Sequence, residues 1–162
     1  MFGTVNPIAD IVKLAHDCGA LVLVDGAQIA PHHQVNVTEL DCDFFAFSGH
    51  KMLGPTGVGV LYAKSELLEE MNPFLGGGEM IRRVTLEKST WADIPWKFEA
   101  GTANIAQAIG LASSIDYINS INMNHIKKHE NLLLEHLLKK LKTMFLILIK
   151  QSYLLIAIMI LV

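Results

Sequence analysis

Along the first 143 residues of the chain, apolar stripes with helical spacing alternate with short continuous apolar runs that are typical of strands. Asn6 and Pro7 are typical of a helix start, with Asn6 as the N-cap and Pro7 in the first helical position, and Gly19 is typical of the helix end. Unbroken apolar runs bounded by turn residues are typical of strands that are buried on both faces. The run at 20–24 predicts such a strand, and two further runs predict strands over residues 43–47 and 57–63.

The later elements follow the same mixed pattern. The second and third predicted strands are joined by about nine residues, too few for a crossover helix, so we expect them to be antiparallel neighbours. Ser65 predicts the N-cap of a short helix through Met71, and the glycine run at 76–78 predicts a flexible loop. Longer helices are predicted over residues 103–120 and 124–143, and the second has an apolar side made of Leu132, Leu133, Leu137, Leu138 and Leu141.

The composition changes abruptly after residue 143. Residues 144–162 read MFLILIKQSYLLIAIMILV, in which Lys150 is the one charged residue. The run is long enough for a membrane anchor, but a charge near its middle is costly in lipid. A pair of buried strands is a second interpretation, although no turn residue divides the run. We favour a third, in which residues 1–143 are part of one domain and 144–162 is a non-native tail produced by a frameshift in an A/T-rich gene.

Composition excludes several classes of protein. The chain has 162 residues, about one domain, with 51% hydrophobic and 18% charged residues and a mean hydropathy of +0.37. These values exclude intrinsic disorder, which needs low hydrophobicity and high net charge. A net charge of −3 and a pI near 6.1 do not indicate the excess of positive charge that is typical of nucleic-acid-binding proteins. Two cysteines make no disulfide framework and no secretory signal is visible, so we expect a cytoplasmic protein.

Two polar residues stand at the end of the first predicted strand. Asp25 closes an apolar run, and Gln28 follows it in the sequence DGAQ. Ligands of open α/β sheets bind at the carboxyl ends of strands, where a carboxylate faces them. A solvated Asp-Gly turn explains the same residues equally well.

The second predicted strand is followed directly by Ser48, Gly49, His50 and Lys51. A lysine between two buried strands must be paired or neutral, and neutral lysines attack carbonyls to form Schiff bases. A lysine at a hairpin tip that extends into water is the commoner case when Lys51 is taken alone. A carboxylate after one strand and a lysine after the next, however, are what a pyridoxal phosphate (PLP) site needs.

Several long motifs carry a resemblance to a known family. They are VDGAQ at 24–28, DCDFFAFSGHKMLGPTGVGVLY at 41–62, FLGGGEMI at 74–81 and PWKFEAGTANIAQAIGL at 95–111. In this order and spacing they resemble the SufS-like cysteine desulfurases, of the class V branch of the fold-type I PLP enzymes. The resemblance runs from about Phe2 to Met144. It implies an α/β fold: the central part of a fold-type I PLP-dependent transferase large domain, with a mostly parallel sheet flanked by helices.

The resemblance also implies roles for three residues around the cofactor ring. Lys51 of the motif SGHK would be the Schiff-base lysine and would carry the proton at the substrate α-carbon. Asp25 would pair with the pyridinium nitrogen, and Gln28 would hydrogen-bond the phenolic oxygen.

Three further residues are implied in phosphate binding. Ser48 and His50 would contact the phosphate of the cofactor. Thr102, of the motif FEAGT, would reach the phosphate in the neighbouring subunit, because family members are homodimers with sites at the interface. The implied reaction converts L-cysteine to L-alanine and leaves a persulfide on the enzyme, which supplies sulfur for iron–sulfur cluster assembly, with a sulfur-acceptor protein as a possible partner.

The cysteine that carries the persulfide lies, in the family, after the region matched here. Cys18 and Cys42 fall on a predicted helix stripe and just before a predicted strand, and we interpret both as structural. Arg82 and Arg83 do not match the family's arginine for the substrate carboxylate. We therefore expect a chain truncated at both ends that does not turn over cysteine by itself.

Other interpretations stay open at this point. Another class V PLP enzyme, such as an aminotransferase or a selenocysteine lyase, is one alternative. A non-catalytic remnant that associates with a partner or, less favoured, a membrane is another, and the apolar tail motivates it. His125 and His129 have the i, i+4 spacing of a metal pair, but no carboxylate or cysteine cluster accompanies them, so we expect a solvated helix face and no metal.

Overall fold

The computed structural model describes residues 5–160, with their side chains through Ile149. The chain divides into two compact units, residues 1–120 and residues 121–162. Among the described residues, the first unit contains the sheets and most of the helices, and the second contains the long helix Met123–Ile160 and the two residues before it.

Helix α1 (Ile8–Asp17) begins one residue later than the sequence predicts. Pro7 has a ψ angle of 71°, outside the helical region, so Pro7 rather than Asn6 is the N-cap. The predicted end is confirmed, because Gly19 takes the left-handed conformation at φ +72° and donates to the His16 carbonyl. The helix buries Val12 against the sheet.

Three strands form the main sheet in the order β1 (Leu23–Asp25), β2 (Phe44–Ser48) and β3 (Gly59–Ala63). Strands β1 and β2 are parallel, and the connection between them contains the short helix α2 (Val37–Leu40). Strands β2 and β3 are antiparallel, which confirms the expectation from their short connection.

A second sheet is a hairpin of β4 (Ile81–Val84) and β5 (Ser89–Trp91), which the sequence analysis missed. The α/β class is confirmed. The parallel majority is not found among the described strands, which make one parallel and two antiparallel pairings. The reason is the length of the connections, because a parallel pairing needs a crossover of a dozen or more residues, and residues 49–58 and 85–88 are too few for one.

The core lies on one face of the main sheet. Val24 and Phe45 from neighbouring strands pack there with Val12, Ala30 and Cys42. The opposite face is open, and Leu23 and Leu61 are 61% and 58% exposed. The expectation that the first strand is buried on both faces is therefore wrong for the part of the chain that the structure describes.

Helix α3 (Ser65–Glu70) begins after Lys64, which takes the N-cap position predicted for Ser65. The Ser65 hydroxyl instead donates to Glu66. At the other end of the helix, the buried amine of Lys97 donates to the carbonyls of Leu68 and Glu69 at 2.9 and 2.8 Å. A cation on these carbonyls satisfies acceptors that the helix itself leaves open.

The last two helices are α4 (Ile105–Ile121) and α5 (Met123–Ile160). Helix α4 buries Leu111, Ser114 and Ile118 on one side. Helix α5 continues through the predicted boundary at residue 143 as one helix, so the interpretation of the tail as a pair of strands is wrong through residue 160. Within the described residues, no helix has the length and apolarity that a membrane span requires.

Candidate active site

Asp25 is the last residue of β1, and Gln28 lies in the turn that follows it. The sheet pairing continues one residue beyond the strand, because the Gly26 amide donates to the Ala46 carbonyl at 2.8 Å. One carboxylate oxygen of Asp25 accepts from the Ala27 amide at 3.0 Å, which orients the carboxylate. The local Asp-Gly turn is thus present, and the side chains of Asp25 and Gln28 are both exposed beside it.

Glycine at position 26 is required by close packing against the core. A Cβ atom at Gly26 would lie 2.0 Å from the ring of Phe45, which is 4% exposed. The turn that carries Asp25 therefore rests directly on an aromatic ring of the neighbouring strand.

The lysine motif follows β2 at the same edge of the sheet. Ser48 is the last residue of β2, and Gly49–Lys51 form a single turn of 3-10 helix. Asp25 pairs with Ala46, two residues before Ser48, so the ends of the two parallel strands present their following residues side by side. His50 and Lys51 are exposed there, and Ser48 is half-buried.

The turn after Lys51 is held by backbone hydrogen bonds. The amides of Met52 and Gly54 both donate to the Gly49 carbonyl, at 2.9 and 3.0 Å, and the Gly49 amide donates to Val58. Leu53, between them, has a φ of +59°, an unusual conformation for a residue with a side chain.

Helix α4 contacts this turn through residues that the sequence analysis missed. The Asn104 amide group donates to the Gly57 carbonyl, and the Ser114 hydroxyl lies 3.1 Å from the Leu53 carbonyl. The sequence offered one signal for Ser114, which is a polar residue on the apolar side of a predicted helix. Asn104 falls inside the helix predicted over residues 103–120 and carried no separate signal.

Thr102 lies in the exposed segment before α4. The neighbouring Gly101 amide donates to the Gly78 carbonyl at 3.0 Å, which places this segment against the glycine run 76–78. The residues that the structure describes show no hydrogen bond between Thr102 and the groups that follow β1 and β2. Its predicted role across a subunit interface remains a prediction.

A second cluster of charged residues lies at the opposite end of the sheet, where β2 begins and β3 ends. Asp43 is 3% exposed, and its carboxylate contacts His16 Nε2 at 2.9 Å, the Val22 amide at 2.7 Å and Lys64 Nζ at 3.1 Å. Lys64 also contacts Asp41 Oδ1 at 2.7 Å. We call Asp43, His16, Lys64 and Asp41 the Asp43 network; the sequence analysis did not predict it.

Electrostatics in the Asp43 network follow from these contacts. Burial raises the pKa of Asp43, but hydrogen bonds from His16, the Val22 amide and Lys64 outweigh it and lower the pKa from 3.8 to about 2. The hydrogen bond with Lys64 also lowers the pKa of Asp41 and, in turn, raises the pKa of Lys64.

The two cysteines differ in their surroundings. Cys42 is fully buried in the core, and burial raises the pKa of its thiol, as expected of a structural cysteine. Cys18 is exposed, contrary to the expectation, because α1 ends at Asp17 and Cys18 follows as its C-cap. His125 and His129 are exposed on α5, and the described residues contain no cluster suited to a metal ion.

The side chains at the carboxyl ends of β1 and β2 fit PLP chemically. An exposed amine, an oriented carboxylate, a hydroxyl and an imidazole occur together at one edge, supplied by Lys51, Asp25, Ser48 and His50. These are the groups that a cofactor aldehyde, a pyridine nitrogen and a phosphate require. The fit rests on exposure and strand register, both seen in this structure.

Comparison with known proteins identifies the class. Residues 1–154 match the aminotransferase class-V family, and the chain belongs to that family. Within this class, its curated relatives include cysteine desulfurases. The chain is 56% identical over 134 residues to a cysteine desulfurase of Haloferax volcanii, covering 83% of this chain and 32% of that protein. The chain is also 54% identical over 142 residues to a cysteine desulfurase of Dickeya dadantii, covering 87% of this chain and 34% of that protein.

Solved structures give the same result. A cysteine desulfurase from Thermococcus onnurineus matches with a TM-score of 0.83 and 42% identity, over 87% of this chain and 36% of that one. The cysteine desulfurase CsdA of Escherichia coli matches with a TM-score of 0.74 and 49% identity, over 76% and 31%. A C-DES mutant with glycine covalently linked to its PLP cofactor matches with a TM-score of 0.66 and 32% identity. The match covers 74% of this chain and 33% of that one. The chain spans about a third of the length of these relatives.

Proposed function

We propose that this chain forms the PLP-binding centre of a cysteine desulfurase, which removes sulfur from L-cysteine. One observation carries the proposal: Asp25 ends one strand and Lys51 follows the adjacent parallel strand, at the same edge of the sheet. The identity of 56% to a cysteine desulfurase supports the same assignment.

Each residue of the site has a distinct task in this proposal. Bound PLP supplies an electron sink for the carbanion at the substrate α-carbon. Lys51 holds the cofactor through its amine and moves the proton at the α-carbon. Asp25, whose carboxylate is oriented by the Ala27 amide, would keep the proton on the pyridine nitrogen because its negative charge stabilises the pyridinium. Gln28 donates to the phenolic oxygen of the ring.

Phosphate binding completes the site. Ser48 and His50 donate to the phosphate beside Lys51, and Thr102 reaches the phosphate of a neighbouring subunit in a homodimer. The sulfur passes to an acceptor protein for iron–sulfur cluster assembly. A reducing compartment such as the cytoplasm keeps the thiols of such a reaction reduced.

Borohydride trapping tests the cofactor assignment on the full 162-residue chain. PLP is added, the sample is reduced, and labelled peptides are identified by mass spectrometry. We expect the label on Lys51 and its loss in Lys51→Ala. Since Lys51 is exposed, this substitution should change the free energy of unfolding by less than about 0.5 kcal/mol.

Lys88→Ala is the matched control, because Lys88 is an exposed lysine in the β4–β5 turn. It should leave the label on Lys51 unchanged. A label spread over surface lysines, and equal in Lys51→Ala and the unsubstituted chain, would contradict the proposal.

A further inference from the structure

The turn that follows Lys51 contains a residue in an unusual backbone conformation. Leu53 has a φ of +59°, in the left-handed region that side chains disfavour. Such a conformation persists only where surrounding contacts hold it, and such residues cluster at functional sites. Leu53 is two residues from Lys51, so whatever holds Leu53 also limits where the backbone of Lys51, from which the amine extends, can lie.

Besides its backbone hydrogen bonds at Gly49, this turn is held by contacts from one side of α4. A Cβ atom at Gly110 would lie 3.0 Å from the Pro55 ring, and one at Gly54 would lie 3.2 Å from the side chain of Leu111. The helix and the turn are therefore in direct contact without spare space. Ser114, one helical turn further along, is the polar member of this surface and is 9% exposed.

The Ser114 hydroxyl has two acceptors within reach. It lies 2.9 Å from the Gly110 carbonyl in its own helix and 3.1 Å from the Leu53 carbonyl in the turn. A hydroxyl has one hydrogen to donate, so the two carbonyls share it. The bond within the helix is an ordinary i−4 contact, whereas the bond to Leu53 fixes the strained residue.

We propose that Ser114 is a positioning residue for Lys51. Its hydroxyl holds the Leu53 carbonyl, and the turn so fixed sets the position of the lysine amine. The inference rests on the proposed role of Lys51 in binding PLP, and it adds a residue on a distant helix that touches neither the cofactor nor the substrate.

Ser114→Ala tests the proposal, and Ser113→Ala is a matched control. The Ser113 hydroxyl makes the same i−4 bond, to the Ile109 carbonyl at 3.2 Å, but it is exposed on α4. Both substitutions put the best helix former into the same helix, so both variants should fold. The difference between them isolates the bond to Leu53.

Amide hydrogen exchange is the first measurement, on the full chain without PLP. The amides of Met52 and Gly54, which donate to Gly49, should exchange about threefold to tenfold faster in Ser114→Ala, as loss of one hydrogen bond implies. The Gly26 amide, bonded to Ala46, should be unchanged. Ser113→Ala should match the unsubstituted chain at all three amides.

Borohydride trapping of added PLP is the second measurement. Half-maximal labelling of Lys51 should need about threefold to tenfold more PLP in Ser114→Ala and the same PLP in Ser113→Ala. If Lys51 is labelled and the two variants behave alike in both measurements, the positioning role is wrong while the proposed function stands. If the unsubstituted chain is not labelled on Lys51, the proposed function fails, and the exchange at Met52 and Gly54 still decides whether Ser114 holds the turn.

Discussion

The two ends of the main sheet place the same residue types in opposite situations. Where β1 and β2 end, Asp25 and Lys51 are exposed, and the hydrogen bond seen for the Asp25 carboxylate among the described residues is to its own turn. Where β2 begins, Asp43 is buried and bonded to His16, Lys64 and a backbone amide. The charged groups of the Asp43 network bind one another and so stabilise the fold. The exposed charged groups at the carboxyl ends of β1 and β2 are left able to bind a ligand.

The comparison also shows how a shifted pKa must be interpreted. The pKa of Asp43 falls to about 2, because its hydrogen bonds favour the charged form more than burial disfavours it. Shifted pKa values point to functional sites, but ion-pair networks inside a fold shift them too. Here the shift marks the structural end of the sheet, and the candidate site is recognised by strand register and residue type instead.

The largest expected effect comes from matched substitutions at the two ends. Asp43→Asn should lower the free energy of unfolding by about 2–3 kcal/mol, because charge-assisted hydrogen bonds to a buried carboxylate are lost. Asp25→Asn should change it by less than about 0.5 kcal/mol, because the side chain is exposed and the amide oxygen still accepts from Ala27. Urea unfolding followed by circular dichroism measures both. Equal losses would remove the distinction between the two ends.

A smaller change in the free energy of unfolding is expected for Gly26→Ala. It tests whether the backbone of the candidate site packs against the core, although its charged side chains are exposed. Gly26→Ala places a methyl group 2.0 Å from the Phe45 ring and should cost about 1–3 kcal/mol through overpacking. Gly76→Ala is the control, because nothing lies within 4 Å of a Cβ atom there. A neutral Gly26→Ala in the same urea measurement would show that the turn does not rest on the ring.

The smallest effect is a dependence of stability on pH. Since the folded pKa of Asp43 lies below its ordinary 3.8, the unfolded chain binds more protons between pH 3.8 and about 2. Stability from Asp43 is therefore complete above this window and is lost as the pH falls through it. Urea midpoints measured across the window should fall steeply for the unsubstituted chain and less steeply for Asp43→Asn. Parallel slopes would mean that another carboxylate causes the acid sensitivity.

Much of the candidate site could be predicted because it lies in short, continuous motifs. The strand ends at Asp25 and Ser48 follow from apolar runs and the turn residues after them, and the antiparallel pairing of β2 and β3 follows from a short connection. The hairpin of β4 and β5 was missed, since its strands are short and mostly exposed.

Contacts between distant segments were the part that sequence reasoning did not reach. Ser114 is 61 residues from Leu53, and His16 is 27 residues from Asp43. No local periodicity links such pairs, because each partner is compatible with its own element alone. The same limit explains why Leu23, in a strand predicted to be buried on both faces, is largely exposed in the described structure.

The sequence by itself determined which reactive groups are available. It places a lysine, a carboxylate and side chains that can donate hydrogen bonds after apolar runs. Backbone hydrogen bonding and the alternation of side chains act over a few residues, so they can be read from order alone. The tertiary structure decided which charges remain available and what holds them, because burial and partner choice depend on segments that meet only after folding. The exposed amine of Lys51 and the buried carboxylate of Asp43 differ for that reason.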